Sequence, residues 1–491
     1  MEFVIIFCLF LFSGLAWYRL DWAMLVLVAG LPSYLIRFSI WGIPGNLLEA
    51  MLGIAFLVWV IRHTRFVGFL KRDYKFRDLK RDRLGRLHYP FGWELILVLV
   101  VALFAAGVAG FKLDALGSWR AYFLEPALFF ILVLNFFQTW REQKKLIWAL
   151  SVSALVLSIY AIIQKFTGWG IANEIWRAET TRRVTSVFPY PNALALYLAP
   201  LSFIFLAYLS ILAGKFRDLG VRGFGIGNYA RSLLLGLVVL LSLVSIYWAR
   251  SEGALIAWGV AVLVFFWFLK GRWRWFTGGI LVGAALFLAF NPTPRSYLAE
   301  KASLTDLSGE IRKQQWRETW QMLQDDRLLV GSGLHNYKQA IRPYHQEGIF
   351  FNKNDDPDFR RKIVLFDEEY KSKFWQPVEI YLYPHNIFLN FWTELGIVGL
   401  LLFIWIMGKF FYLGIRNFKL SSSNSSNKDM NCLNSGLMAA MIVILVHGLV
   451  DVPYFKNDLA LIFWLLVALM SLLAIKLRPD AYKINKADYD Q

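Results

Sequence analysis

The sequence predicts an all-α polytopic membrane protein of about 12–13 transmembrane helices with one large extracytoplasmic loop. Three observations predict it. Of the 491 residues, 57% are apolar and mean hydropathy is +0.47, more apolar surface than a soluble fold buries. Apolar runs long enough to cross a bilayer, about twenty residues, recur along the chain. A single long polar stretch, 291–384, interrupts them.

In order, the apolar segments fall at 3–18, 22–37, 44–61, 92–110, 121–138, 146–164, 191–213, 232–249, 252–269, 275–290, 386–408, 434–451 and 459–476. The first has no basic n-region and no A-x-A site, so it reads as a retained membrane segment. The expected organisation is a transmembrane bundle over 1–290, the large loop over 291–384, further transmembrane helices over 385–476 and a cytoplasmic tail over 477–491. Loops 62–91, 139–145, 214–231, 270–274, 409–432 and the tail from Lys476 carry 28 Lys and Arg, against 8 in the alternate short loops. The positive-inside rule places the first set in the cytoplasm and the 291–384 loop on the other side. The net charge of +17 therefore reflects topology and anionic lipid, not nucleic acid. The basic loop 62–91 reads as a lipid-surface anchor and 421–428 (SSSNSSNK) as a flexible linker. Cys8 and Cys432 sit in different surroundings and predict no structural disulfide.

Inside the loop, Ser308 is placed to cap a helix running through Asp326, with Trp316, Trp320 and Leu323 on one face at i, i+4, i+7. Such a helix would lie across the tops of the spans, tryptophans down. Gly331-Ser332-Gly333 is expected to end it, and the charged stretch 351–373 is expected to be a mobile flap.

Several residues could carry chemistry. Tyr383-Pro384-His385-Asn386 sets an imidazole at the mouth of a span, where a neutral ring could act as a general base. Arg250 sits in a tight hairpin between two apolar runs; it must meet an anion, or snorkel and pair with Glu252 or Asp451. Arg182 and Arg183 precede Pro191-Asn192, a plausible helix start whose free N–H groups suit an anion; the alternative is a solvated doublet. His447 and Asp451 lie one helical turn apart near the outer end of a span, and Glu49 and Glu125 are intramembrane carboxylates with Arg120 nearby. Asp355, Asp356 and Asp358 give a D-x-D spacing that could hold a divalent ion, but a solvated charge run is the better reading of so short a match.

Three segments carry a family resemblance: RRVTSVFPYPNALALYLAPL at 182–201, YWARSEGALIAWGVAV at 247–262, and the block from IRKQQWRETWQMLQDDRLLVGSGLHNY to YPHNIFLNFWTELGIVGLLLF. In order and topology they resemble the O-antigen ligase and O-antigen polymerase superfamily of bacterial membrane glycosyltransferases. The resemblance implies a GT-C-like fold in the bacterial cytoplasmic (inner) membrane, the large loop facing the periplasm or exterior. It implies transfer of a glycan from an undecaprenyl-diphosphate carrier to an acceptor hydroxyl in lipopolysaccharide or other cell-envelope polysaccharide biosynthesis. The transfer would be inverting, with no metal and no cofactor. His385 maps to the general base, and Arg250, Arg183 and Arg182 to the essential arginines. Asn192, Arg312, Trp316, Asn386 and Arg120 are expected to bind substrate, with His447, Asp451 and Glu125 in support. The expected partners are the lipid-linked donor, a glycan, lipid or protein acceptor, and the bilayer. His335-Asn336-Tyr337 after the Gly-x-Gly turn departs from the family pattern, where small residues and an aromatic are more usual. Alternatives are a repeat-unit polymerase, a protein O-oligosaccharyltransferase, or a transporter of a small anion such as bicarbonate. A transporter should show broken helices or repeats at the midplane, whereas no internal repeat is evident and the charged candidates gather at one surface.

Overall fold

The computed structural model describes residues 2–40, 42–63, 90–269, 272–354, 356–365, 368–422 and 427–477. Most of the basic loop 62–91, the Ser-rich stretch 423–426, the tail from 478 and Asp355 lie outside the described residues. The chain is an all-α polytopic membrane protein. Seven described helices are long and apolar enough to cross a membrane: Leu113–Phe136, Trp140–Thr167, Pro191–Gly220, Ile226–Trp248, Ile387–Ser422, Lys428–His447 and Asn457–Leu477. An eighth is added if Thr277–Phe290, bent by 104° onto Pro292–Gln324, counts as one span.

That number falls below the expected 12–13 because several apolar runs form shorter helices, Phe3–Tyr18, Leu20–Ala29, Gly92–Val108 and Glu252–Phe268. The run at 22–37 breaks at Gly30. Pro32 then sits in the first turn of a 3₁₀ helix, Leu31–Leu35, where its missing N–H costs nothing. Beyond it, Arg37–Ile40 pairs antiparallel with Ile43–Asn46.

At the centre lies Asn457–Leu477, whose side chains are buried along nearly the whole helix. Trp464 meets Phe130 edge-on at 5.4 Å, tying it to Glu125–Phe136, and Phe463 meets Phe403 of Ile387–Ser422 at 6.1 Å. Lys428–His447 lies flush on Pro191–Gly220 because Gly436 faces the Phe203 carbonyl, which a Cβ would approach to 2.7 Å. Trp140–Thr167 opens with a capping box, in which the Thr139 N–H donates to Glu142 and the Glu142 N–H donates to the Thr139 hydroxyl.

The polar segment contains several short helices and a two-stranded sheet. Its main helix, Leu307–Gln324, is capped not by Ser308 but by Asp306, whose carboxylate accepts from Gly309 N–H at 3.1 Å. An ionised oxygen is the stronger cap, since it also faces the positive end of the helix dipole. The Gly-x-Gly turn does not end this helix. It wedges between two others: Ser332 N–H donates to the Thr393 carbonyl at 2.6 Å and Leu334 N–H to the Ala105 carbonyl at 3.2 Å. Gly333, at φ +81°, leaves no room for a Cβ, which would fall 2.8 Å from the Ala105 carbonyl oxygen. The stretch 351–373, expected as a flap, includes the short helix Phe359–Val364, and Glu368–Phe374 follows. Gly348–Phe350 and Trp375–Pro377 pair antiparallel at its base.

One span is interrupted. Gly396, at φ +74°, breaks Ile387–Ser422, and the Leu329 carbonyl fills the gap by accepting from Ile397 N–H at 3.1 Å. A Cβ on Gly396 would collide with that carbonyl, while one on Gly408 of the same helix meets nothing within 4 Å. Gly396→Ala should therefore cost roughly 1–3 kcal/mol, the usual cost of a strained left-handed residue. Gly408→Ala should be neutral or slightly stabilising in thermal unfolding of the detergent-solubilised protein. Equal midpoints for the two variants would refute the wedge.

Candidate active site

The short loop after Lys428–His447 organises the site. Its successive carbonyls accept from two distant parts of the chain. Gly448 accepts from Ile387 N–H at 2.7 Å, Leu449 from the Asn386 side chain at 3.1 Å, and Val450 from Arg312 Nε at 3.1 Å. The expected span 434–451 therefore stops at His447, so His447 and Asp451 are not a helical pair. Gly253 allows Glu252–Phe268 to approach this loop, since a Cβ there would lie 2.9 Å from Val450 and 3.0 Å from the His447 ring.

His385 is held from both sides. After it, Asn386 caps the span with its side-chain oxygen, accepting from Phe388 N–H at 2.9 Å and Leu389 N–H at 3.0 Å. Before it, the helix Leu307–Gln324 grips the backbone: Gln315 Nε2 donates to the Tyr383 carbonyl and Trp316 Nε1 to the Pro384 carbonyl, both at 2.7 Å. His385 itself adopts φ +45°, an unusual backbone for a non-glycine residue. Its ring stands edge-on to Tyr381 and Tyr383, each 4.9 Å away. Trp316 and Asn386, expected to bind substrate, thus hold the imidazole in place with their polar atoms.

Asp451 links the histidine to the arginines. It is 2% exposed. One oxygen accepts from Asn192 Nδ2 at 3.1 Å and the other from Val452 N–H at 2.8 Å. His385 Nδ1 stands 3.8 Å from Oδ1, an ion-pair distance too long for a hydrogen bond. Burial opposes its charge, yet the His385 and His447 imidazoles facing it hold the carboxyl well below the usual carboxylate range.

Arg183 and Arg250 complete the cluster. Arg183 donates through Nε to the Ala249 carbonyl at 2.9 Å and through Nη2 to Asn192 Oδ1 at 3.3 Å and to the Arg250 carbonyl at 3.4 Å. It closes the C-terminal end of Ile226–Trp248, where free carbonyls need donors. Arg250, exposed and at φ +51°, makes only a 3.5 Å contact to the Thr180 carbonyl. Burial first, then the Arg250 charge, pushes the Arg183 guanidinium below its ordinary range. Neither pairing expected for Arg250 forms: Glu252 is taken by Lys301 at 2.7 Å and Tyr297 at 2.9 Å, and Asp451 by Asn192. Among the described residues no carboxylate pairs with either guanidinium.

The structure sets other expected residues elsewhere. Arg182 donates to the Lys165, Phe166 and Arg177 carbonyls at 3.0, 3.3 and 3.0 Å, capping the end of Trp140–Thr167. Arg120 pairs with Glu49 at 2.6 Å and lies 3.9 Å from Glu125. This is the structural pairing that intramembrane carboxylates suggest. Asp356 binds Lys362 and Tyr370, both at 2.6 Å, and these bonds pull its carboxyl down to about 2. Among the described residues no group of three or more His, Cys, Asp or Glu is arranged to hold a metal ion.

Sequence reasoning missed the tyrosines beside His385. Tyr190 and Tyr383 meet hydroxyl to hydroxyl at 3.2 Å, and Lys456 Nζ lies 3.9 Å over the Tyr190 ring. The run of aromatics at 188–190 and 381–383 was the available signal.

A multi-pass helical membrane protein whose polar segment, span mouth and interhelical loops converge on a His–Asp pair and two unpaired guanidiniums has the features of an enzyme acting at a membrane surface. Residues 237–404 match the family model described as O-antigen ligase, which supports membership of the chain in the O-antigen ligase and polymerase family. This is a glycosyltransferase-like family, and the match supports an enzyme of that kind. The matched segment contains Arg250, Arg312, Trp316 and His385, whereas Arg183, Asn192 and Asp451 come from outside it. No curated protein matched the chain.

Two stability predictions follow from this wiring. Asn386→Ala should lower stability by about 1 kcal/mol, the value of a lost N-cap, and Asn386→Asp should restore most of it. Unfolding midpoints in detergent test this, and an Asp variant no better than Ala would refute the cap. Because the Asp451 carboxyl is depressed, its stabilisation is complete above the unfolded carboxylate value, about pH 4, and is lost as pH falls below it. Asp451→Asn should cost roughly 1–3 kcal/mol at pH 7. It should also flatten the acid limb of the stability profile, and an unchanged limb would refute the assignment.

Proposed function

We propose that the protein transfers a glycan from an undecaprenyl-diphosphate carrier to an acceptor hydroxyl at the outer face of a bacterial cytoplasmic membrane. The observation that carries this reading is the pair Arg183 and Arg250, left without carboxylate partners beside His385 and Asp451. Cleaving the anomeric C–O bond of a lipid diphosphate places negative charge on the departing oxygen. Guanidiniums fixed in advance stabilise that charge through paired N–H contacts. His385 takes the proton of the attacking hydroxyl as the new C–O bond forms on the opposite face of the sugar, inverting the anomeric carbon. Asp451 favours the resulting imidazolium, as a carboxylate does behind a catalytic histidine. The apo separation of 3.8 Å is of the kind that tightens on substrate binding. The helix Leu307–Gln324, which holds the Tyr383 and Pro384 carbonyls, would limit water, which otherwise hydrolyses the donor.

Of the arginine doublet, Arg183 is the one joined to the Asp451 chain through Asn192, and Arg182 is spent on carbonyls. Arg183 therefore receives the catalytic assignment, with Arg182, Asn386 and Trp316 in positioning roles. Asn192 and Arg312 flank the site, and His447 backs it.

The break at Gly396 favours a second reading, since transporters use interrupted helices. Here the freed Ile397 N–H is satisfied by the Leu329 carbonyl, so packing within the protein accounts for the break, which favours the transferase.

Purified protein in nanodiscs, given labelled undecaprenyl-diphosphate glycan and envelope extract as acceptor, tests the proposal. Release of lipid diphosphate should fall at least about tenfold in His385→Ala, as loss of a general base requires. Arg250→Lys should also lose most activity, because lysine cannot reproduce the planar fork. Arg183→Ala should be more damaging to turnover than Arg182→Ala, which should mainly lower the unfolding midpoint. Product mass would identify the acceptor as lipid A-core, polysaccharide or protein. Full activity in Arg250→Lys would overturn the diphosphate assignment, and loss of turnover on chelation would overturn the metal-free one. Bicarbonate flux without glycan transfer would favour the transporter.

A further inference from the structure

A cavity of about 670 Å³ opens beside the His385 cluster, on the far side of the Tyr190–Tyr383 hydroxyl pair, and contains none of the arginines or histidines assigned above. Its volume is that of an ordinary ligand site. The 3₁₀ turn near Tyr34, the helix starting at Leu113, the residues after the Gly-x-Gly turn, and the loop ending at Asn457 wall it in.

Its chemistry is specific. Tyr34, Tyr122, Tyr190 and Tyr383 supply aromatic faces, and Asn336, Gln339, Asn390 and Asn457 supply amide hydrogen-bonding groups. Flat apolar faces interleaved with amides suit the alternating C–H and O–H surfaces of a sugar. Charge is unbalanced: Arg37, Lys112, Lys338, Arg342 and Lys456 face Asp114 and Glu394. One Glu394 oxygen already accepts from the His335 backbone N–H at 2.6 Å.

Two lining groups are buried without a hydrogen-bond partner, the Lys456 ammonium and the Asn390 side-chain oxygen. An unpaired buried polar group is costly, and an ammonium more so. Burial pulls the Lys456 ammonium down to about 8. A ligand offering an anionic oxygen to Lys456 and a hydroxyl to Asn390 would satisfy both. Lys456 also stacks on Tyr190, whose hydroxyl reaches Tyr383, the neighbour of the His385 ring. The wall of the cavity is thus continuous with the proposed base.

We propose that this cavity is the acceptor subsite and that it selects a glycan bearing negative charge, a sugar carboxylate or a sugar phosphate. The inference rests on the transferase reading and adds its acceptor class and address. The acceptor enters past the exposed Lys338 and Arg342 and presents its hydroxyl to His385 beyond the tyrosine pair. The donor occupies the opposite side, against Arg183 and Arg250.

Initial rates with the full-length protein in nanodiscs, varying donor and envelope-extract acceptor separately, test this. Lys338 and Arg342 are exposed, so Lys338→Gln/Arg342→Gln should fold normally. It should raise the acceptor KM at least about fivefold and leave the donor KM unchanged. Asn390→Ala provides a second, interior variant with the same expected pattern. With the wild type, amidating the extract's carboxylates in one arm and dephosphorylating it in another should reproduce the variants' loss in whichever arm carries the recognised charge. An unchanged acceptor KM in both variants, or a rise in donor KM instead, would overturn the subsite. Loss in neither chemical arm would overturn its preference for charge. If the wild type itself transfers nothing, the transferase reading fails and the subsite falls with it.

Discussion

The site depends on the four-residue loop 448–451, whose backbone carbonyls are shared between two distant segments. A carbonyl at a helix end has no partner within its own helix and must find one elsewhere. Here Gly448, Leu449 and Val450 take theirs from the start of the preceding span and from the helix Leu307–Gln324. Satisfying the end of one membrane helix thereby fixes the start of another and the height of the polar segment above both. Asp451 follows directly, so its position is set by the same bonds, and with it the separation of His385 from Asn192 and Arg183.

Glycines make the close approaches possible. Gly253 brings the Arg250 hairpin against His447 and Val450, and Gly331 and Gly333 insert the polar segment between two helices of the bundle. Gly396 lets a span yield to the Leu329 carbonyl at the same depth. The contacts at Gly331, Gly333 and Gly396 join the polar segment to the bundle by backbone atoms. The long segment thus acts as part of the scaffold around His385, gripped on one side by Gln315 and Trp316 and on the other by Asn386.

The electrostatics follow from how carboxylates are allocated. Glu49 and Glu125 attend Arg120, Glu252 attends Lys301, and Asp356 attends Lys362. What remains near His385 is Asp451 alone, committed to an amide and a backbone N–H, and two guanidiniums with only carbonyl contacts. Positive charge held without a counter-charge at a partly buried site is destabilising unless an anionic ligand completes it. The cavity beyond Tyr190 and Tyr383 holds a further buried ammonium, Lys456, with Asp458 and Asp451 near enough to oppose the effect of its burial.

Much of this was legible in the sequence. Hydropathy determined the helical membrane class, because bilayer-length apolar runs have few other uses. The motifs around Arg250 and His385 indicated the family that the match at 237–404 supports. Composition does not tell which apolar runs stay continuous: 22–37 reads alike whether it crosses straight or breaks at Gly30 and Pro32. It also could not choose between Arg182 and Arg183, neighbours with identical side chains. That choice is tertiary, since one guanidinium meets Lys165 and Phe166 while the other meets Ala249 and Asn192. The helix cap at Asp306, the commitment of Asn386 and Trp316 to backbone, and the cavity lined by residues from Tyr34 to Asn457 were likewise invisible. Local pattern sets which segments enter the membrane, because burial of apolar surface depends on residues close in sequence. Which polar atoms remain free for a substrate depends on partners tens or hundreds of residues away, and only the folded chain decides that.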